Sequence, residues 1–203
     1  MEKIDLRKQY KPFYSPSSHE FSFVHLPAMT YLMVDGHGNP NSRLYIDAIQ
    51  TLYSLSYTLK FALKKSGGPD FTVMGLESLW WMPDMTQFSL ERKDDWDWTA
   101  IILQPDFVSP AMLKSAVIDC TAKGKAPLGS QARLELLDEG DCVQILYFGP
   151  YADEAPVIAG MHAFIHDQGY LPNGKHHEIY LSDVRKVAPE KNKTILRQPV
   201  RKA

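Results

Sequence analysis

Twice in this chain a glutamate interrupts an extended run rich in aromatic and branched residues: Gly75-Leu76-Glu77-Ser78-Leu79-Trp80-Trp81 and His176-His177-Glu178-Ile179-Tyr180-Leu181. Each run follows a long amphipathic segment, which itself follows another extended run, so the chain reads as one unit written twice. Residue identity between the halves is slight, and the repeat rests on element order and on the matched glutamates. A carboxylate in the middle of such a strand is costly unless it faces a partner or a cavity. Two in equivalent places imply a cleft framed by two halves.

The order of elements supports this reading. Phe21 to Asp35 is extended, broken at Pro27 and closed by the turn cluster Gly36-His37-Gly38-Asn39-Pro40-Asn41. Ser42 is the N-cap of a long helix whose buried stripe is Tyr45, Ile49, Leu52, Leu59 and Leu63, with Gly67-Gly68-Pro69 as its stop. Extended runs follow at Phe71 to Trp81 and Trp96 to Leu103, with a loop or hairpin connection over Pro83 to Asp95. Ser109-Pro110 opens a short helix, and Gly124 to Ser130 reads as a linker. The second half repeats the order: an extended pair around Ala132 to Phe148, a Gly149-Pro150 turn, a helix from about Asp153 to Gln168, a strand from His176 to Ser182 and a last run from Thr194 to Val200. The segregation predicts an α+β fold of antiparallel sheets, each with a helix on one face. The predicted boundaries are a first repeat over 20–104, a connecting helix and linker over 105–130 and a second repeat over 131–203, within one domain spanning 1–203.

Composition narrows the function classes. The 203 residues carry 22 basic and 24 acidic side chains with no long run of one sign, which argues against nucleic-acid or membrane-surface partners. Cys120 and Cys142 stand in no metal-ligand spacing and fit a reduced, cytoplasmic setting. No stretch approaches the roughly 20 apolar residues of a membrane span, and no signal-peptide core is present. Nucleotide-binding loops, serine-nucleophile elbows and metal-binding histidine motifs are also missing, so no cofactor and no metal are expected.

Alternation places Glu178 and Tyr180 on one face of their strand and His177, Ile179 and Leu181 on the other. With the apolar face covering the helix, Glu178 and Tyr180 are expected to look into the groove. The same rule groups Glu77 with Leu79 and Trp81, opposite Ser78 and Trp80. Trp80, Trp81, Trp96 and Trp98 serve as core residues or, crowded near a carboxylate, as walls for flat or cationic aromatic ligands. An ion pair with Arg185 or Lys186 is the alternative fate for Glu178. Tyr147 and Tyr151 bracket the Phe148-Gly149-Pro150 turn at the mouth of the second half.

Val34-Asp35-Gly36-His37-Gly38-Asn39-Pro40, Leu76-Glu77-Ser78-Leu79-Trp80-Trp81, Asp95-Trp96-Asp97-Trp98-Thr99, Gly149-Pro150-Tyr151 and His176-His177-Glu178-Ile179-Tyr180-Leu181-Ser182-Asp183 together resemble the GyrI-like small-molecule-binding family. That family also supplies the effector-binding half of BmrR and Rob type transcription regulators. The resemblance implies a tandem, pseudo-two-fold pair of SHS2-type modules around a central cleft that takes hydrophobic, aromatic or cationic small molecules, with a buried glutamate at the position of Glu178. Stand-alone members include hydrolases that open the ring of cyclopropanoid DNA-alkylating compounds, a xenobiotic detoxification. The resemblance thus implies Glu178 as general base, Tyr147 or else Tyr180 as donor to the developing oxyanion, and Glu77, Trp80, Trp81, Trp98, Tyr151 and Tyr180 as ligand contacts. Tyr147 stands where many relatives carry a histidine. The alternatives are a non-catalytic drug-sequestering or sensor domain and a gyrase-modulating partner protein.

Overall fold

The computed structural model describes residues 3–85, 90–183 and 185–203. Among the described residues the chain builds nine strands: β1 (Ser22–Leu26), β2 (Met29–His37), β3 (Glu77–Trp81), β4 (Asp97–Leu103), β5 (Arg133–Leu137), β6 (Gly140–Phe148), β7 (Tyr170–Pro172), β8 (His176–Tyr180) and β9 (Lys193–Lys202). Four α-helices accompany them: α1 (Leu6–Gln9), α2 (Arg43–Lys65), α3 (Pro110–Ala122) and α4 (Ala155–Asp167). Ser42 and Ser109 cap α2 and α3 as their sequences demand, each side-chain oxygen accepting from a first-turn amide. Regular strand begins only at Glu77 within the expected 71–81 run, Phe71 making an isolated bridge to Ile4. Segment 124–130 is packed rather than free: Ala126, Leu128 and Gly129 are buried, and the Leu128 amide donates to Thr51 Oγ1 on α2. Part of the connection expected over Pro83 to Asp95 lies outside the described residues.

The strand order is β1-β6-β9-β8-β3-β4-β2-β5, with β7 added against the end of β9. In each half a long strand, its partner and a third strand run in the same spatial order, β2-β4-β3 and β6-β9-β8. The halves meet edge to edge where β3 pairs antiparallel with β8, Ser78 opposite Glu178 and Trp80 opposite His176. One continuous antiparallel sheet results.

Register fixes which side chains share a face, because opposed residues of neighbouring strands point the same way. One face carries Val34, Trp98, Ala100, Ser78, Trp80, His176, Glu178, Tyr180, Thr194, Leu196 and Ile145. Helices α2 and α4 lie on it. Tyr45 of α2 hydrogen-bonds Ser78 at 2.7 Å and meets Trp98 edge-on at 5.0 Å. Met161 and Ile165 of α4 form a small core with Val143, Ile145, Leu196 and Val200. The expectation that Glu178 looks away from the helix is therefore corrected: it stands on the helix-bearing face, at the central joint between the α2 and α4 territories. The cause is that the apolar residue of β8, Ile179, and its β9 neighbour Ile195 are already buried on the other side, which Glu77 and the N-terminal Tyr14 share.

The aromatic floor is tightly constrained at Gly36, opposite Trp98. A methyl group there would fall 2.1 Å from Trp98 Cζ2, and Trp98 is fully buried. Gly36→Ala should therefore cost about 3 kcal/mol of unfolding free energy by overpacking, measured by urea denaturation. An unchanged midpoint would show that the indole can yield.

Candidate functional site

Glu178 is held in position from its own strand. Tyr180, two residues on and on the same face, donates its hydroxyl to Glu178 Oε2 at 2.7 Å, and Trp80 Nε1 donates to the Tyr180 oxygen at 3.2 Å. Arg185 and Lys186, the alternative partners, instead pair with Asp183 at the surface. Glu178 keeps 13% of its side chain exposed, so it is sheltered yet reachable. Burial raises its pKa, opposed by the Tyr180 and Trp80 hydrogen bonds and by the nearby Lys93 charge.

Two unlike walls face this carboxylate. The α2 side is aromatic: Tyr45 packs on Trp80 at 5.3 Å and Trp80 meets Trp96 at 5.4 Å, all three nearly buried. The α4 side is polar. Tyr151, in the short turn Tyr151–Asp153 before α4, contacts the Tyr180 ring edge-on at 5.6 Å. That turn delivers Glu154 to the N-cap position of α4, where its side chain makes no capping bond and is 2% exposed. Burial, and then repulsion from Glu178, pushes the Glu154 pKa up to about 9, while Lys93 acts the other way. His176, 3.9 Å from Glu178 by its Nε2, is buried and driven down to about 3 by burial and by His162 on α4. Glu154 Oε1, Thr194 Oγ1, His162 Nε2 and both His176 ring nitrogens are buried without a hydrogen-bond partner in the protein. Groups left this way need a bound molecule or water to satisfy them.

The other expected residues fall elsewhere. Glu77 does not share the cleft; it sits on the opposite face because it opposes Ile179 rather than Glu178. Its carboxyl group accepts from Tyr14 (2.8 Å), Tyr31 (3.4 Å) and His177 Nε2 (3.0 Å). His177 also donates from Nδ1 to Glu139 at 2.9 Å, and Arg197 approaches the same carboxylate at 3.7 Å. Trp81 shares that face and is capped by the Lys175 ammonium, 3.3 Å from its ring centre, so it does not clamp a ligand beside Glu178. Trp98 is on the cleft face but wholly buried under Tyr45, a floor rather than a contact. Tyr147 lies over Gly149 and donates its hydroxyl to the Pro150 carbonyl at 3.1 Å. Glu154 was missed because an acid at the start of a helix reads as a complement to the helix dipole. Two surface hollows, about 580 and 280 Å³, lie along α3 and do not touch Glu178. Among the described residues no group of three or more His, Cys, Asp or Glu is placed to hold a metal, and no helix is long and apolar enough to cross a membrane.

An antiparallel sheet with helices on one face thus presents a partly exposed acid, Glu178, beside a cluster of buried aromatic rings at its central joint. Residues 19–201 match the GyrI-like small molecule binding domain, and the chain belongs to that family. Among solved structures, an uncharacterized conserved protein from Listeria innocua is 41% identical over 98% of this chain and 100% of its own, with a TM-score of 0.91. A hydrolase from Listeria innocua is 40% identical over the same shares, with a TM-score of 0.89. The C-terminal domain of EcmrR shares the fold at 12% identity and a TM-score of 0.62, over 91% of this chain and 98% of that one. No curated protein sequence matches the chain.

The buried charges carry a sign for stability. Burial alone would lower the His177 pKa, but Glu139 and Glu77 outweigh it and push it up to about 9. Its contribution is complete below the unfolded value near 6.5 and is lost as pH rises through 9. Glu154 acts in the same sense: an acid raised from 4.5 to about 9 makes the fold less stable as pH climbs between those values. Urea unfolding should show stability falling from pH 6.5 to 9.5, with His177→Gln and Glu154→Gln each removing part of the slope. At pH 7, His177→Gln should cost about 3 kcal/mol or more, since it strips the charge from a buried network. A flat wild-type profile would overturn both assignments.

Proposed function

We propose that this chain is a cofactor-independent hydrolase that opens the strained ring of cyclopropanoid alkylating compounds. The observation that carries the reading is the sheltered Glu178 carboxyl group, oriented by Tyr180 and Trp80 and set against an aromatic wall. Two Listeria innocua relatives described as hydrolases, 40% and 39% identical to this chain, support the same class.

Glu178 accepts a proton from a water molecule as that water attacks the ring carbon, which general base catalysis by a positioned carboxylate allows. Trp80 backs the site from beneath and the half-buried rings of Tyr151 and Tyr180 rim it, so a planar conjugated ligand seats against those rings with its ring carbon toward Glu178. Excluding bulk water from this recess strengthens each polar contact made there. Tyr180 serves as a positioning residue, because its hydroxyl hydrogen is already committed to Glu178. The natural ligands in this reading are hydrophobic, aromatic or cationic small molecules. The two halves, 20–104 and 131–203, are read as tandem SHS2-type modules joined by 105–130. A cytoplasmic setting fits the free thiols of Cys120 and Cys142.

Incubation with a cyclopropane-bearing alkylator should yield the ring-opened product heavier by one water, followed by mass spectrometry. Glu178→Gln should lower kcat at least about 100-fold, the usual scale for a removed general base, while ligand binding followed by tryptophan fluorescence persists. Binding without turnover in the wild type would overturn the enzyme reading in favour of a drug-sequestering or sensor domain.

A further inference from the structure

Ring opening needs a proton delivered as well as one removed, and the tyrosines of the site are poor candidates to deliver it. Tyr180 spends its hydroxyl hydrogen on Glu178, and Tyr147 spends its own on the Pro150 carbonyl. Tyr45 is tied to Ser78. The acid left on the α4 side is Glu154, 2% exposed, with Oε1 buried and unpartnered. Its turn is seated on the Tyr180 ring through Tyr151, and Tyr180 lies opposite Thr194, the residue beside Glu154.

We propose that Glu154 is the proton donor of the site and that it forms with Glu178 a carboxyl pair holding a single proton. This rests on the hydrolase reading above. Glu178 takes one proton from water as the water oxygen bonds to the ring carbon. The carbon–carbon bond breaks, its electron pair passes through the conjugated system to the carbonyl oxygen, and Glu154 gives that oxygen its proton. Glu178 is then protonated and Glu154 ionised; passing the proton from one to the other restores the pair, and the sum is addition of one water. The groups near Glu154 are Glu178 on β8, Thr194 on β9, Tyr147 on β6, Lys93 from the short helical segment Leu90–Asp95, and Tyr151 of its own turn, with Asp153 next to it in sequence. The raised pKa keeps the donor protonated at neutral pH, although a carboxyl group in water would have ionised.

The test compares Glu154→Gln with Glu178→Gln and Tyr151→Phe, using one cyclopropane-bearing alkylator and two readouts. In kinetics, Glu154→Gln should lower kcat about 30- to 100-fold with KM within threefold and abolish the alkaline fall of the pH profile. Tyr151→Phe should keep that fall. In infrared spectra of the ligand-free protein, the wild type should show a protonated carboxyl band at pH 7.5 that disappears near pH 9 and is missing in Glu154→Gln. If the wild type shows no turnover, the hydrolase reading fails while the infrared band still decides whether the pair exists. A missing band in the wild type, or full activity in Glu154→Gln, overturns this proposal. So does loss of the alkaline limb in Tyr151→Phe alone.

Discussion

The antiparallel joint between β3 and β8 governs the rest of the structure. Each half alone is a short sheet with an open edge, a row of unpaired amides and carbonyls that would template unwanted pairing. Joining edge to edge satisfies both rows and makes one sheet, at a register that sets Ser78 against Glu178. Because side chains alternate, that single register determines everything laid on either face. It puts α2 and α4 on one side, and it puts the aromatic floor of the first half next to the acid of the second.

The same joint separates two kinds of buried charge. On the face away from the helices, Glu77, His177, Glu139 and Arg197 form a paired network closed by Tyr14 and Tyr31. Every charge there has an opposite within reach, and the network serves as structure. On the helix face, burial favours the protonated forms of Glu178 and Glu154, and several neighbouring polar atoms lack partners. Such an arrangement costs stability and is typical of sites held ready for a ligand.

Local chemistry in the sequence revealed a good deal. Serine caps, glycine stops and hydrophobic periods located α2, α3 and α4 within a few residues, and alternation correctly grouped Glu178 with Tyr180 and separated them from His177. The pairing of β3 with β8 joins residues about a hundred positions apart, and no local signal specifies it. Without that pairing the faces of Glu77 and Glu178 could not be related, and both glutamates were expected at one cleft, Glu178 as the base and Glu77 as a ligand contact. Glu154 was hidden for a similar reason: its significance comes from what lies across β8 and β9. Tyr147 was legible as a turn residue, but the direction of its hydroxyl depends on the backbone turning at Gly149.

On β8 the residues His177 and Glu178 stand back to back, one serving the scaffold and the other the recess. A one-residue slip of this strand would exchange their surroundings, so β8 is locked from behind by ion pairs at the very point where it presents its acid. A protein built in this way has little freedom to retune its selectivity through the central strands. The adaptable parts are the first turns of α2 and α4, which can change the shape offered to a ligand while the acid stays fixed.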